Sequence, residues 1–278
     1  MNAHGYGGGG TRITRRRFLK MSAAALALTI AGSGVGQTYR FEVVRQALRV
    51  PALSRPLSVA VLSDLHYGPF IRDGSVRAWV EATNAEKPDA VLLTGDIVDR
   101  LASTSIRPLL GLLGTLRAPL GVFAVLGNHD HLRFPSTEVF RRALERVGIC
   151  VLHNTGRVLR KDVYLAGVDD LRHGRPDLAA ALAQRPPGTA CILLSHNPDV
   201  LPEVPAQVDL TLCGHTHGGQ VRLPLFGPIV TSSAFGERFV MGWVSGPARG
   251  YVTRGLGVTA VPLRWNCPAE LTLVELVP

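Results

Sequence analysis

The chain has 278 residues, 46% hydrophobic and 18% charged, with a net charge of +9 and a pI near 10.0. That composition can bury a sizeable core and excludes a disordered polyelectrolyte. Five of the nine net charges (Arg12, Arg15, Arg16, Arg17 and Lys20) lie in the first 35 residues with no acid among them, so the rest of the chain carries only +4. An excess of that size suits an anionic small substrate as well as a polymer.

The amino terminus reads as an address. TRRRFLK, Thr14 to Lys20, precedes MSAAALALTIAGSGVG, Met21 to Gly36. A charged region, a modest apolar region and small residues form the signal-peptide pattern. The run resembles the twin-arginine signal, with Arg15 and Arg16 as the pair. Its apolar part is shorter than the roughly 20 residues of a spanning helix. It also contains Thr29, Gly32, Ser33 and Gly34, which disfavours a permanent anchor. Ala31 and Ser33 suit the −3 and −1 positions of a cleavage site. Residues 1–36 are therefore expected to be a signal segment read by the twin-arginine export machinery. The folded, metal-loaded protein would reach the periplasm, the cell wall or the outer face of the membrane, with peripheral membrane contact possible there.

Residues 37–278 are expected to form one compact α/β domain. Thr38 to Pro56 alternates weakly, like an edge strand. SVAVLSD, DAVLLTGD and GVFAVLGNHD are then short apolar runs ending in polar residues, the pattern of strands buried on both faces. Between them SVRAWVEATNAE and SIRPLLGLLGTL have helical length and spacing, giving βαβ units and a parallel or mixed sheet. Further strands are expected at YLAGVDD, ACILLSH, VDLTLCGH, GYVTRGLG and LTLVELV. Cys150, Cys191 and Cys213 lie in or beside such runs and read as buried small hydrophobes. Cys267 stands alone, no CxxC occurs, and an exported protein still permits disulfides.

The strand ends carry the chemistry, because ligands bind at the carboxyl ends of strands in such sheets. In chain order they offer Asp64 and His66 (SDLHYG), Asp96 and Asp99 (GDIVDR), Asn128, His129 and Asp130 (GNHD), His196 (SHNPD), and His215 and His217 (GHTHGG). Any one of these has an ordinary reading, an Asp as a helix N-cap or a His on the surface. Five such groups, each ending an apolar run, point instead to one ligand-bearing rim. His131, His153 and His173 lie outside the motifs and read as loop or surface residues. In an extended HxH both imidazoles leave the same side, and Gly214, Gly218 and Gly219 would let the backbone turn beneath them. Oxygen and imidazole donors without thiolate suit Mn, Fe or Zn.

The series DLH, GDIVD, GNHD, H and GHTH over residues 64–217 resembles the calcineurin-like metallophosphoesterase superfamily. The ending GYVTRGLG with PLRWNCPAEL, after a twin-arginine leader, resembles its exported phosphodiesterase branch. The resemblance implies a four-layer sandwich of two mixed β-sheets flanked by helices, and two divalent metal ions. It implies Asp64, His66 and His217 at one ion, Asn128, His196 and His215 at the other, and Asp96 bridging them. It implies His129 as the acid that protonates the leaving oxygen, Asp99 as its orienting partner, and Arg100 as a phosphate contact. Asp130 is left as a supporting residue or a cap.

The expected function is hydrolysis of phosphomonoesters or phosphodiesters outside the cytoplasm, on envelope or lipid-linked substrates. The alternatives are a nuclease of the same superfamily, which export and the absence of aromatic–basic interleaving disfavour, and a non-catalytic metal or phosphate binder. A nucleotide-sugar lipid, a wall-polymer link and a phospholipid head group all remain open as substrate. Arg222 to Gly250 reads either as an apolar wall for an acyl group or, by preference, as a core hairpin.

Overall fold

The computed structural model describes residues 14–16, 20–22, 32, 34, 36–103 and 105–278. Most of the signal segment, including Ala31 and Ser33, lies outside these residues. Among the described residues no helix is long and apolar enough to cross a membrane.

Two six-stranded sheets form the centre. In the first, β1 (Phe41–Arg49) is the edge, followed by β14 (Ala269–Val277), β2 (Leu57–Leu62), β3 (Ala90–Thr94), β4 (Val122–Val125) and β5 (Ile149–Val151). Strands β2 to β5 run parallel, β14 is antiparallel to β2, and β1 is parallel to β14. The second sheet runs β12 (Gly242–Ser245), β13 (Arg249–Val252), β9 (Leu210–Cys213), β8 (Ala190–Leu194), β7 (Val163–Gly167) and β6 (Thr155–Arg160). Here β7, β8, β9 and β13 are parallel, and the two outer strands are antiparallel.

Side-chain alternation along the strands makes the four layers. Val61, Leu92 and Phe123 form one in-register row, and Leu165, Ile192 and Leu210 form another; both rows belong to one core between the sheets. Their neighbours Leu62, Leu93 and Ala124 face the other way, toward α1 (Asp73–Ala85), α2 (Arg107–Leu113) and α4 (Thr137–Glu145), through Val76, Trp79, Leu109 and Phe140. The opposite face of the second sheet packs Ala166, Cys191 and Leu193 against Ala181 of α5 (Leu178–Leu182). This is the α/β sandwich with two mixed sheets that the resemblance implies, built on the buried parallel strands that the sequence pattern predicts.

Some elements differ from the expectation. The helix after β3 stops at Leu113 with Gly114 as its C-cap. The strand expected over GYVTRGLG ends at Val252, because Gly255 sits at φ +68 and turns the chain. Gly34, assigned to the signal segment, packs beneath Leu263, and its carbonyl accepts from Thr38 Oγ1 (2.9 Å). All four cysteines are free thiols; Cys191 and Cys213 are fully buried in the strands expected for them, and burial raises both thiol pKa values.

Candidate metal centre

Because β2, β3 and β4 are parallel in one sheet and β8 and β9 in the other, their carboxyl ends open on a common rim. The loops there are tied together by backbone bonds: Asp64 N–H to Gly95 O (3.0 Å), His66 N–H to Asp96 O (2.9 Å) and Gly214 N–H to His196 O (2.9 Å). Asp64, His66, Asp96, His215 and His217 all have φ between +47 and +73. Non-glycine residues rarely adopt this left-handed backbone, and its cost is of order 1–2 kcal/mol per residue. Five such residues on one rim mean that the surrounding bonds force the chain into it, as happens at functional sites.

The HxH segment is not extended. Thr216 is helical, and His217–Gly219 forms a tight 3₁₀ turn. The two imidazoles diverge because each histidine adopts a left-handed backbone, which a strand would not allow. Gly214 allows close approach, since a methyl group there would collide with Ser63 Oγ. Gly218 and Gly219, at φ +63 and +84, make the turn.

The side chains gather into overlapping groups. Asp64, His66 and His217 have ligand atoms within 4.8 Å of one another, as do Asp96, His196 and His215, and as do His66, Asp99 and His129. Nε2 of His66 faces Nε2 of His217 at 3.0 Å. Nδ1 of His215 faces Nε2 of His196 at 3.2 Å, and Asn128 Oδ1 lies 3.1 Å from that same Nε2. Asp96 Oδ2 stands between the first two groups, 3.4 Å from His66 Nε2 and 3.3 Å from His196 Nε2. His196 Nδ1 bonds the Thr94 carbonyl (2.8 Å), and His66 Nδ1 bonds Asp99 Oδ2 (3.2 Å). These outer bonds fix each ring so that Nε2 points inward.

His129 belongs to the edge of the cluster. Its N–H donates to Asp96 Oδ1 (2.8 Å), its ring packs edge-on to His66 at 4.5 Å, and its Nδ1 lies 3.5 Å from Asp99 Oδ2. Unlike the buried imidazoles it is partly open to solvent. Arg100 is exposed, and its backbone N–H reaches His129 Nδ1 (3.4 Å). Asp99 therefore touches both His66 and His129, a double contact that no spacing rule in the sequence signals.

Asp130, His131 and Arg264 extend the contacts around the rim. Asp130 is fully buried and accepts from Ile97 N–H (3.2 Å), Val98 N–H (2.9 Å) and Gly127 N–H (3.0 Å), stapling the loop after β3 to the start of α3 (Asn128–Arg133). His131, expected as a loop or surface residue, is mostly buried and bonds Asp169 at 2.9 Å; His153 lies 3.4 Å from the same oxygen. Arg264 is a completely buried arginine whose guanidinium lies 3.3 Å from His217 Nδ1 and donates to the carbonyls of Arg254, Gly257 and Cys267. Its only sequence signal is a cation inside the apolar stretch VPLRWNC.

The residues fit a pair of divalent cations. Asp64 and Asp96 are at most 1% exposed, and among the described residues no lysine or arginine forms an ion pair with either. Buried carboxylates without a fixed cation are costly unless a metal or proton compensates them. With protein groups alone that burden falls on the imidazoles and carboxyls. Burial lowers the His196 pKa, yet the Asp96 carboxylate overrides it and pushes it up to about 10. Burial, assisted by the His196 charge, takes His215 down to about 3, and burial raises Asp64. Burial beside Asp96 raises Asp130 to about 6. These opposed shifts mark a cluster of buried acids and imidazoles that calls for added positive charge. Donors of oxygen and imidazole, with the thiols elsewhere, match hard-to-borderline divalent metals.

Comparison with known proteins agrees with this geometry. The family model described as "Calcineurin-like phosphoesterase" matches residues 57–219, more than half of the chain. The chain belongs to the calcineurin-like phosphoesterase family. It is similar to the uncharacterized metallophosphoesterase YkuE of Bacillus subtilis, 32% identical over 95% of this chain and 98% of that one. It is likewise similar to the phosphodiesterase YaeI of Escherichia coli, 33% identical over 95% of this chain and 100% of the other. A solved dimetal phosphatase from Danio rerio is 13% identical, with a TM-score of 0.48 over 75% of this chain and 90% of that one. The phosphoesterase is accordingly a phosphoester hydrolase whose cofactor is two divalent metal ions.

Proposed function

We propose that the phosphoesterase hydrolyses phosphodiesters of the cell envelope, lipid-linked ones included, after export through the twin-arginine machinery. The observation that carries the site assignment is the position of Asp96 Oδ2 between His66 Nε2 and His196 Nε2, with His129 beside it. In this reading Asp64, His66 and His217 hold one ion, Asn128, His196 and His215 hold the other, and Asp96 serves both. The bound pair supplies Lewis-acid stabilisation of charge at phosphorus and lowers the pKa of the attacking water.

The chain's own residues supply the rest. His129, held by Asp99 and by its N–H bond to Asp96, donates a proton to the departing oxygen. Arg100 binds a non-bridging phosphoryl oxygen. The similarity to the Escherichia coli phosphodiesterase favours diesters over monoesters. A panel of phosphoesters offered to the manganese-loaded protein tests this. Turnover of diesters above monoesters is expected, lost with a chelator and restored by metal. Preferential cleavage of DNA, with the steep salt dependence of a polymer contact, would replace this reading with a nuclease.

The address is tested separately. Replacing Arg15 and Arg16 together with Lys keeps the charge but removes the pair that a receptor reads. The variant should accumulate in the cytoplasm in precursor form, measured by cell fractionation; normal export would overturn the twin-arginine reading.

A further inference from the structure

The segment expected as a core hairpin, Arg222 to Gly250, divides in two: β12 pairs with β13 in the second sheet and Phe239 and Val244 are buried, but its first part does not join the core. β10 (Arg222–Leu223) and β11 (Gly227–Pro228) pair only with each other, outside both large sheets. Leu225 and Phe226 at the tip are 102% and 79% exposed, and Ile229 and Val230 just beyond are each 61% exposed. Leu225 also sits at φ +67, where glycine or asparagine would be at ease. An apolar side chain held in an unfavourable backbone and fully in solvent gains nothing from folding; it gains only if something apolar meets it.

The hairpin is anchored to the metal rim. Ile229 N–H donates to the Val221 carbonyl (3.1 Å), and Arg222 Nη1 donates to the Gly218 carbonyl (3.0 Å). A methyl group on Gly219 would collide with Pro228, so the second strand lies directly on the turn that carries His217. Past the tip, the Ser232 carbonyl lies beside the His215 imidazole and accepts from Arg172 Nη2 (2.8 Å). The finger is therefore apolar at the tip, has Arg222 at its base with Arg172 of the segment after β7 beside it, and lies on the turn that carries His217.

We propose that this hairpin is a lipid-docking finger. Leu225, Phe226, Ile229 and Val230 enter the acyl boundary of a bilayer, and Arg222 and Arg172 meet its anionic head groups. The metal rim is thereby held at the level of the head-group phosphates. This deepens the envelope-phosphodiester reading and rests on it for the choice of partner. A convex tip of four side chains offers less than the roughly 800 Å² per partner of a stable protein interface. It does suit partial insertion into lipid, where apolar burial and attraction of cations to anionic lipid act together.

The test uses the full chain, metal-loaded, with vesicles of phosphatidylcholine alone or mixed with phosphatidylglycerol. Wild type should bind the mixed vesicles more tightly, and added salt should weaken that binding. Leu225→Asp with Phe226→Asp should weaken it by about a hundredfold, since each of the two apolar side chains moved into lipid contributes about a factor of ten. The same variant should keep its kcat/KM on a soluble aryl phosphodiester. Because the signal segment can itself contact lipid, Phe226→Trp supplies a local readout: its emission should be quenched by brominated acyl chains. Unchanged vesicle binding in the double Asp variant, or no quenching at position 226, would overturn the proposal. So would a concentration-dependent dimer abolished by the double variant, which would mean that a second copy covers the tip. Loss of soluble-ester turnover in the variant would overturn it too, by placing the finger inside the active site. Absence of turnover in wild type with full metal, while the vesicle results hold, would instead remove only the hydrolytic reading.

Discussion

Replacing Asp96 with Asn should leave fewer than two metal ions on each chain and lower kcat/KM for an aryl phosphodiester by about 10³-fold or more, several kcal/mol of transition-state stabilisation. Asp96 Oδ2 is within 3.4 Å of an imidazole nitrogen from each of the two ligand groups, so it is placed to serve both. Two dications about 3.5–4 Å apart repel each other strongly unless a shared anion lies between them. The amide keeps the shape and removes the anion. His129 N–H, which donates to Oδ1, still finds a carbonyl oxygen if the amide orients that way, so the fold should persist. Elemental analysis and kinetics on the same samples check the result. Two ions retained per chain with unchanged rate would show that Asp96 is not the bridge.

Replacing His129 with Gln should do something different. If His129 donates a proton and binds no metal, both ions remain, because Asp64, His66, Asp96, Asn128, His196, His215 and His217 are intact. The loss should then follow the leaving group. A nitrophenolate departs unprotonated, so its ester should react at nearly the wild-type rate. An alkoxide needs the proton in the transition state, so its ester should lose about 10²–10⁴-fold, the contribution of a positioned acid. His129 lies at the solvent edge of the cluster, with Nδ1 turned toward Asp99, which leaves Nε2 free to face a substrate. Burial opposes ionisation of Asp99, but hydrogen bonds from His129 and His66 prevail and hold its pKa well below the usual carboxylate range. Asp99 thus stays charged and can support an imidazolium. Equal losses on both esters with full metal would make His129 a stabiliser of phosphoryl oxygens. Loss of metal would make it a ligand.

The two variants separate roles that the primary structure presents side by side. Asn128 and His129 are adjacent, yet one faces His196 and the other faces Asp99. That divergence comes from α3, which begins at Asn128 only two residues, Leu126 and Gly127, beyond the end of β4 at Val125.

The amino-acid sequence by itself determined the buried strands and the candidate donors that cluster at their ends. A strand covered on both faces must be a continuous apolar run, so β2, β3, β4, β8 and β9 are legible one by one. The polar residues that end each run are legible as donors for the same reason, since nothing else in the run can leave the core. Less apolar elements were not legible: β6 is half exposed, and α4 shows its apolar face only once Phe140 meets the sheet. Tertiary structure alone decided that parallel strands from two sheets open on one rim, because that depends on strand order and direction rather than on any local run. It also decided the left-handed backbone at five donors, the staple made by Asp130 and the burial of Arg264 against His217, all of which depend on long-range hydrogen bonds. The hairpin at Arg222–Pro228 shows the limit most clearly. Its apolar sequence fits a core element equally well, and only its position outside both sheets turns Leu225 and Phe226 toward solvent.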